Sequence, residues 1–160
     1  METLNSILLT GHNIIRWIVL VLGIVLVVRS FLGWFKKWEY QERDKQLTPF
    51  FSGVFDLQIL IGLILYFTKG WAGVLMNSAS DVMKTTSLRF FAMEHWLLMI
   101  VAAVLIHIGS ARIKKSSESL KKYKNAAIWF SIAIILTLAS IPWPGMAAAR
   151  PIFRLFGLSF

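Results

Sequence analysis

Four long apolar runs, separated by polar connections, organise this chain. They cover roughly residues 7–31, 48–71, 88–113 and 125–146. Each approximates the 20-odd residues that carry a helix across about 30 Å of hydrocarbon. The connection 34–47 (WFKKWEYQERDKQL) is polar and mixed in charge. The connection 70–87 holds small and polar residues, among them Asn77, Ser78, Ser80 and Asp81. The connection 114–124 (KKSSESLKKYK) is strongly basic, and the tail 150–160 (RPIFRLFGLSF) reads as amphipathic and aromatic. The segment IPWPG, with Pro142 and Pro144, and Pro151 beyond it, should stop or kink the fourth helix. No internal repeat or low-complexity linker breaks the pattern.

In lipid, only helices and closed barrels satisfy the backbone, and these runs far exceed the roughly ten-residue alternating strands of a barrel. The expected architecture is therefore all-α: a single transmembrane domain, an integral membrane four-helix bundle. Composition agrees, with 57% hydrophobic residues in 160 and a mean hydropathy of +0.67. A soluble domain of this size needs less apolar surface. The chain has no cysteine, which excludes disulfides, thiolate nucleophiles and Cys-ligated zinc or iron–sulfur centres. The N-terminus lacks a basic leader region, so the first run is expected to be kept as a span.

The net charge of +9 raises nucleic acid as a partner, but the basic residues flank apolar runs and no nucleic-acid-binding fold accompanies them. They read instead as topology signals and contacts to anionic headgroups. Eleven of the seventeen Lys and Arg residues cluster around the first and third connections. The positive-inside rule then places those loops in the cytoplasm and both termini outside, in a multi-pass membrane protein. Trp34, Trp38, Tyr66, Trp71 and Trp143 fall near span ends, where amphipathic rings anchor.

Ionisable residues within spans carry the functional signal. His12 lies near the start of the first run and His95 near the start of the third. Odd-numbered spans run in the same direction, so both imidazoles should lie at similar depth near the outer face. Two histidines facing across a helical bundle suggest axial ligands to haem iron. Arg16 shares a helix face with His12. Arg16 or Arg89 would pair with the haem propionates, because guanidinium binds carboxylate bidentately. Gly23 falls on the His12 stripe, and Met99, Ala102 and Ala103 lie on or near the His95 stripe. That lean face suits either a porphyrin wall or plain helix packing. Glu94 should pair with Arg16 or Arg89. An Arg–Glu clasp with hydrogen-bonded histidines is the purely structural alternative.

His107 follows His95 by twelve residues, a rotation of about 120°, so it does not share the His95 face. It should hydrogen-bond with Asp56 at similar depth on the second span. Such a pair would serve as a structural contact, a proton carrier or a quinone contact. Gln58, two residues from Asp56, points to another side of its helix. Glu94, Asp56, Gln58 and His107 are thus expected to form a buried polar network. Three histidines at different depths give a first-row metal no compact ligand set.

The stretches HNIIRW (His12, Arg16, Trp17), DLQILIGLILYF, LRFFAMEHWLLMIVA (Arg89, Phe90, Glu94, His95) and IPWP followed by RP together resemble a group of small four-helix bacterial membrane proteins. These are typical of Bacteroidetes and are often labelled cytochrome b. The resemblance covers nearly the whole chain and implies haem b and electron transfer. It assigns nothing to His107. The four histidines of larger di-haem cytochromes b are absent, which argues against two stacked haems. The leading expectation is electron transfer through one haem b, between quinol and an extracytoplasmic-side acceptor, alone or in a respiratory assembly. One alternative is a non-catalytic membrane subunit stabilising a larger complex. A weaker one is proton or solute conduction past Arg16, Glu94, Asp56 and His107, although no half-helix interruption marks a central site.

Overall fold

The computed structural model describes residues 2–155 and 158–159. Of the tail, Phe156, Gly157 and Phe160 lie outside the described residues. Helices α1 (Glu2–Phe35) and α2 (Glu42–Thr68) come first, followed by three short helices, α3 (Trp71–Asn77), α4 (Ala79–Lys84) and α5 (Thr86–Arg89). A π-helical turn, Phe90–Glu94, then feeds α6 (His95–Lys115), and α7 (Ser119–Ala139) completes the helical set. The described chain is all-helical apart from a two-residue antiparallel pairing of β1 (Arg154–Leu155) with β2 (Leu158–Ser159).

Among the described residues, three segments are long and apolar enough to cross a membrane: Glu2–Phe35, Glu42–Thr68 and Thr86–Lys115. Their outward faces are apolar, as Ile18, Val21, Ile24, Val25 and Val28 on α1 illustrate. The fourth expected run falls short of that standard. Lys121, Lys122 and Lys124 occupy the first turns of α7, and the helix stops at Ala139, just before IPWP. The apolar part of α7, residues 126–139, is only about 21 Å long at 1.5 Å per residue. The connection 70–87 is likewise not a loop. It folds into short helices that begin where Gly70 takes a left-handed φ of 76°.

The core forms where α7 meets α1 and α6, and where α2 meets α1 and α6. Contact is made through small residues. A Cβ on Gly109 would sit 2.7 Å from the Trp129 Cβ, and one on Gly33 would sit 2.5 Å from the Tyr123 ring. Ala102, Ala127, Phe130 and Ala133 are completely buried between these helices. Gly23 belongs to the same packing. Its missing Cβ leaves room for Ile134 and Phe51, so of the two readings of that position the helix contact is the one present.

At the end of the molecule where α1 finishes, a buried carboxylate gathers three elements. Asp44, on the first turn of α2 and 4% exposed, pairs with Arg29 of α1. It also accepts from the Tyr123 hydroxyl at 2.8 Å and the Gln41 backbone N–H at 3.0 Å. The Tyr123 hydroxyl bridges on to the Glu39 carbonyl at 3.1 Å, and the Tyr40 hydroxyl donates to the Asp44 carbonyl at 3.1 Å. Lys37 takes a φ of 54° and the Trp38 N–H returns to the Gly33 carbonyl at 2.9 Å. That αL stop turns the chain toward α2. Burial, reinforced by the Asp44 carboxylate, pushes the Tyr123 phenol above its ordinary range.

Two outcomes follow, both read by thermal unfolding in detergent. Gly33→Ala drives a methyl into a rigid ring and should cost about 1–3 kcal/mol, more than the helix propensity gained. Tyr123→Phe strips a donor from a buried carboxylate and should cost about 1–2 kcal/mol at neutral pH. A raised phenol pKa stabilises the fold below the ordinary tyrosine value of about 10 and loses that contribution as pH rises above it. The Tyr123→Phe difference should therefore shrink above that pH.

Candidate functional site

A cavity of about 250 Å³ opens at the opposite end, among α1, α2, the π turn, α6 and the C-terminal end of α7. His12 and His95 both line it. Their ring centres lie 6.3 Å apart with the planes at 76°.

Each ring is held by a specific local device. His95 is the first residue after the π turn. Such a turn is a local widening of the helix, found frequently at functional sites. The Ala92 carbonyl in this turn accepts from the Tyr66 hydroxyl at 2.9 Å and from the Trp96 indole at 2.9 Å. Two aromatic donors thus satisfy backbone in the irregular turn. His95 Nδ1 lies 2.7 Å from the Ser140 carbonyl, beyond the last turn of α7, where carbonyls lack intrahelical partners. A carbonyl only accepts, so Nδ1 carries the hydrogen and Nε2 keeps its lone pair. A hydrogen bond from one ring nitrogen to a carbonyl fixes the ring and leaves the other nitrogen free, the arrangement commonly found in histidines that bind metals.

His12 is placed by α2. Gln58 is buried and donates to the His12 carbonyl at 3.0 Å. Gly62, one turn on, leaves room for the ring, since a Cβ there would lie 3.1 Å from His12 Cε1. His12 Nδ1 and Gln58 Oε1 are buried and have no hydrogen-bond partner. Buried polar atoms of this kind are costly and are normally paired.

The remaining lining is apolar or aromatic, including Phe55, Leu63, Trp96, Met99, Ile100 and Ile141. Among the described residues, three cations, Arg16, Lys69 and Arg150, border the cavity, and no Asp or Glu does. Arg16 donates through Nη2 to the Ile152 carbonyl, while its Nε is buried and unpartnered. The same carbonyl takes the Asn13 amide at 3.3 Å and the Trp17 indole at 3.4 Å, and Phe153 stacks on Trp17 at 5.3 Å. The post-α7 segment is thereby laid across α1. Arg150 stands 4.3 Å over the Phe91 ring.

The other expected site residues separate. Arg89 does not line the cavity. Its Nε bonds to Glu94 Oε1 at 2.6 Å, and its Nη1 donates to the Met83 carbonyl at 3.2 Å. Arg150 occupies the cavity border instead. His107 Nε2 and Asp56 Oδ1 are 2.9 Å apart, but with 56% and 48% of their side chains exposed they lie on the outer surface. Glu94 is 36% exposed. The expected buried network of Glu94, Asp56, Gln58 and His107 therefore dissolves. Only Gln58 is buried, and it serves His12. Among the described residues there is no group of three or more His, Cys, Asp or Glu able to hold a metal ion. No family model, curated protein or solved structure matches the chain.

Tyr66, Gly62, Ser140 and Arg150 carry no sequence signal that separates them from span residues or interface anchors. The π turn is invisible to periodicity. Tyr66→Phe should cost about 1 kcal/mol in thermal unfolding. Adding Trp96→Phe, which leaves the Ala92 carbonyl without either donor, should cost more than the two single changes summed.

Proposed function

We propose that this protein binds one haem b between His12 and His95 and serves membrane electron transfer. The observation that carries the reading is the pair of imidazoles facing one apolar cavity at 6.3 Å between centres. His12 from α1 and His95 from α6 would hold the haem iron between them. The His95 tautomer suits ligation, and the orphaned nitrogen of His12 is consistent with a partner from outside the chain. Arg16 and Arg150, with Lys69, would hold the propionates, and the absence of acidic lining favours such an anionic, largely apolar group. When bound, haem would supply one-electron chemistry. The chain's own part is to orient the two rings, exclude water with Phe55, Trp96 and Ile141, and neutralise carboxylates.

The reading includes an integral membrane four-helix bundle with α7 as the short fourth span. Both termini and the cavity lie on the extracytoplasmic side, and the basic connections lie in the cytoplasm. Electrons would then pass between quinol and an acceptor outside the bacterial inner membrane. The likeness of HNIIRW and LRFFAMEHWLLMIVA to the small proteins labelled cytochrome b supports it.

Protein purified from haem-replete cells should show a reduced-minus-oxidised b-type spectrum with one haem per chain by extraction. His12→Ala and His95→Ala should each abolish the low-spin signal. Gly62→Val should lower occupancy by filling the space beside His12. Arg89→Ala should leave the spectrum unchanged. A colourless preparation, or a spectrum indifferent to both histidine changes, would overturn the reading.

A further inference from the structure

The apolar middle of the long helices turns one ion-pair-forming contact outward among the described residues, that of His107 with Asp56. Asp56 sits in α2 and His107 in α6, both within segments apolar enough to cross a membrane. Yet their side chains are 48% and 56% exposed. Around them the surface is apolar: Leu57 is 46% exposed, Leu60 55% and Val104 50%. Ionisable groups in spans almost always face a protein interior or a water-filled cavity, because hydrocarbon leaves them unsolvated. This pair faces neither.

The chemistry of the pair specifies its partner. Nε2 and Oδ1 are taken up by the contact between the two side chains. That leaves the other ring nitrogen, Nδ1, and the second carboxylate oxygen, Asp56 Oδ2, facing outward, a nitrogen able to donate beside an oxygen able to accept. A donor and an acceptor side by side are self-complementary under a two-fold axis, which pairs each with the opposite group on an identical surface. Copies inserted with the same orientation place that axis along the membrane normal, so both pairs meet at one depth. Close approach is open as well. Gly53 lies one turn before Asp56 on the same exposed face, and a Cβ added there would meet nothing within 4 Å.

We propose that the α2–α6 face carrying Gly53, Asp56, Leu60, Val104 and His107 is the interface of a two-fold dimer of this chain. Two symmetry-related hydrogen bonds between the Asp56–His107 pairs hold it, with van der Waals contact at Gly53. The inference rests on the membrane placement and is independent of the haem reading.

The absence of cysteine makes the test direct. Gly53→Cys and Leu60→Cys, each the sole thiol in the full-length chain, should form disulfide-linked dimers on mild oxidation in native membranes. Ile135→Cys, on α7 and 64% exposed, should not. Carbonate extraction of the same membranes checks insertion separately, so a failed placement is not mistaken for a failed interface. Placing Asp56→Leu and His107→Leu in the Leu60→Cys chain should cut dimer yield about tenfold, as expected for two interhelical hydrogen bonds between membrane helices. Three results would overturn the proposal: no cross-link at either position in carbonate-resistant protein, equal yield at position 135, or cross-linking to a different protein. Dimer yield unmoved by the double leucine change would also overturn it, because the polar pair is then not what joins the copies.

Discussion

The arrangement depends on how closely α7 can approach its neighbours. Between helices in lipid there is little hydrophobic drive, and association rests on van der Waals contact and interhelical hydrogen bonds. Both require backbones to come near. Gly33 and Gly23 on α1 and Gly109 on α6 supply that proximity, accepting Tyr123, Ile134 and Trp129 of α7. The two ends of the molecule follow from it. At one end Tyr123 enters far enough to reach Asp44. At the other, α7 finishes where the Ser140 carbonyl can receive the hydrogen of His95. A helix held further out would leave a buried carboxylate short of a donor and the imidazole without an orienting contact.

The two aspartates of α2 show how burial sorts similar groups. Asp44 lies at the start of the helix, collects a guanidinium, a phenol and a backbone N–H, and is sealed from solvent. Asp56, twelve residues on, has a single histidine and faces outward. A buried charge is tolerable when its remaining acceptor sites are filled. Asp44 meets that condition within one chain. Asp56 does not, and this difference separates an internal clasp from an unfinished surface.

Much of the gross plan is legible in the sequence, because hydropathy over twenty residues is a strong signal. The first apolar run falls within α1, the second overruns the end of α2 at Thr68, and the third spans α5, the π turn and most of α6. The fourth, 125–146, is legible as apolar but not as helical to its end, because proline forbids continuation and lysines claim the first turns. Helical phase explains why His107 departs from the His95 face and why Asp56 and Gln58 diverge. Phase alone, however, does not say which face looks inward, and the expectation of a buried network misplaced Asp56 and His107 for that reason. Of the two roles open to Arg89, it takes the pairing with Glu94 and does not line the cavity. The Asp44 cluster lay in a connection read only as mixed charge. Its partners, Arg29 and Tyr123, are 15 and 79 residues away, beyond the reach of local pattern.

The π turn at Phe90–Glu94 has a further meaning for how this chain tolerates change in length. A π turn carries about one residue more than the α-helical turn it replaces, and each residue advances a helix by about 100°. The widened turn absorbs that extra residue, so the helix after it keeps nearly the face it would present without it. Losing one residue there would leave hydropathy, span length and charge almost untouched, yield a more regular helix and turn the α6 surface only slightly. What it would remove is the widening itself, because the Ala92 carbonyl that receives Tyr66 and Trp96 would return to a regular ladder. The length of this stretch is therefore tuned to one local contact, and the packing of α6 beyond the turn is insulated from it.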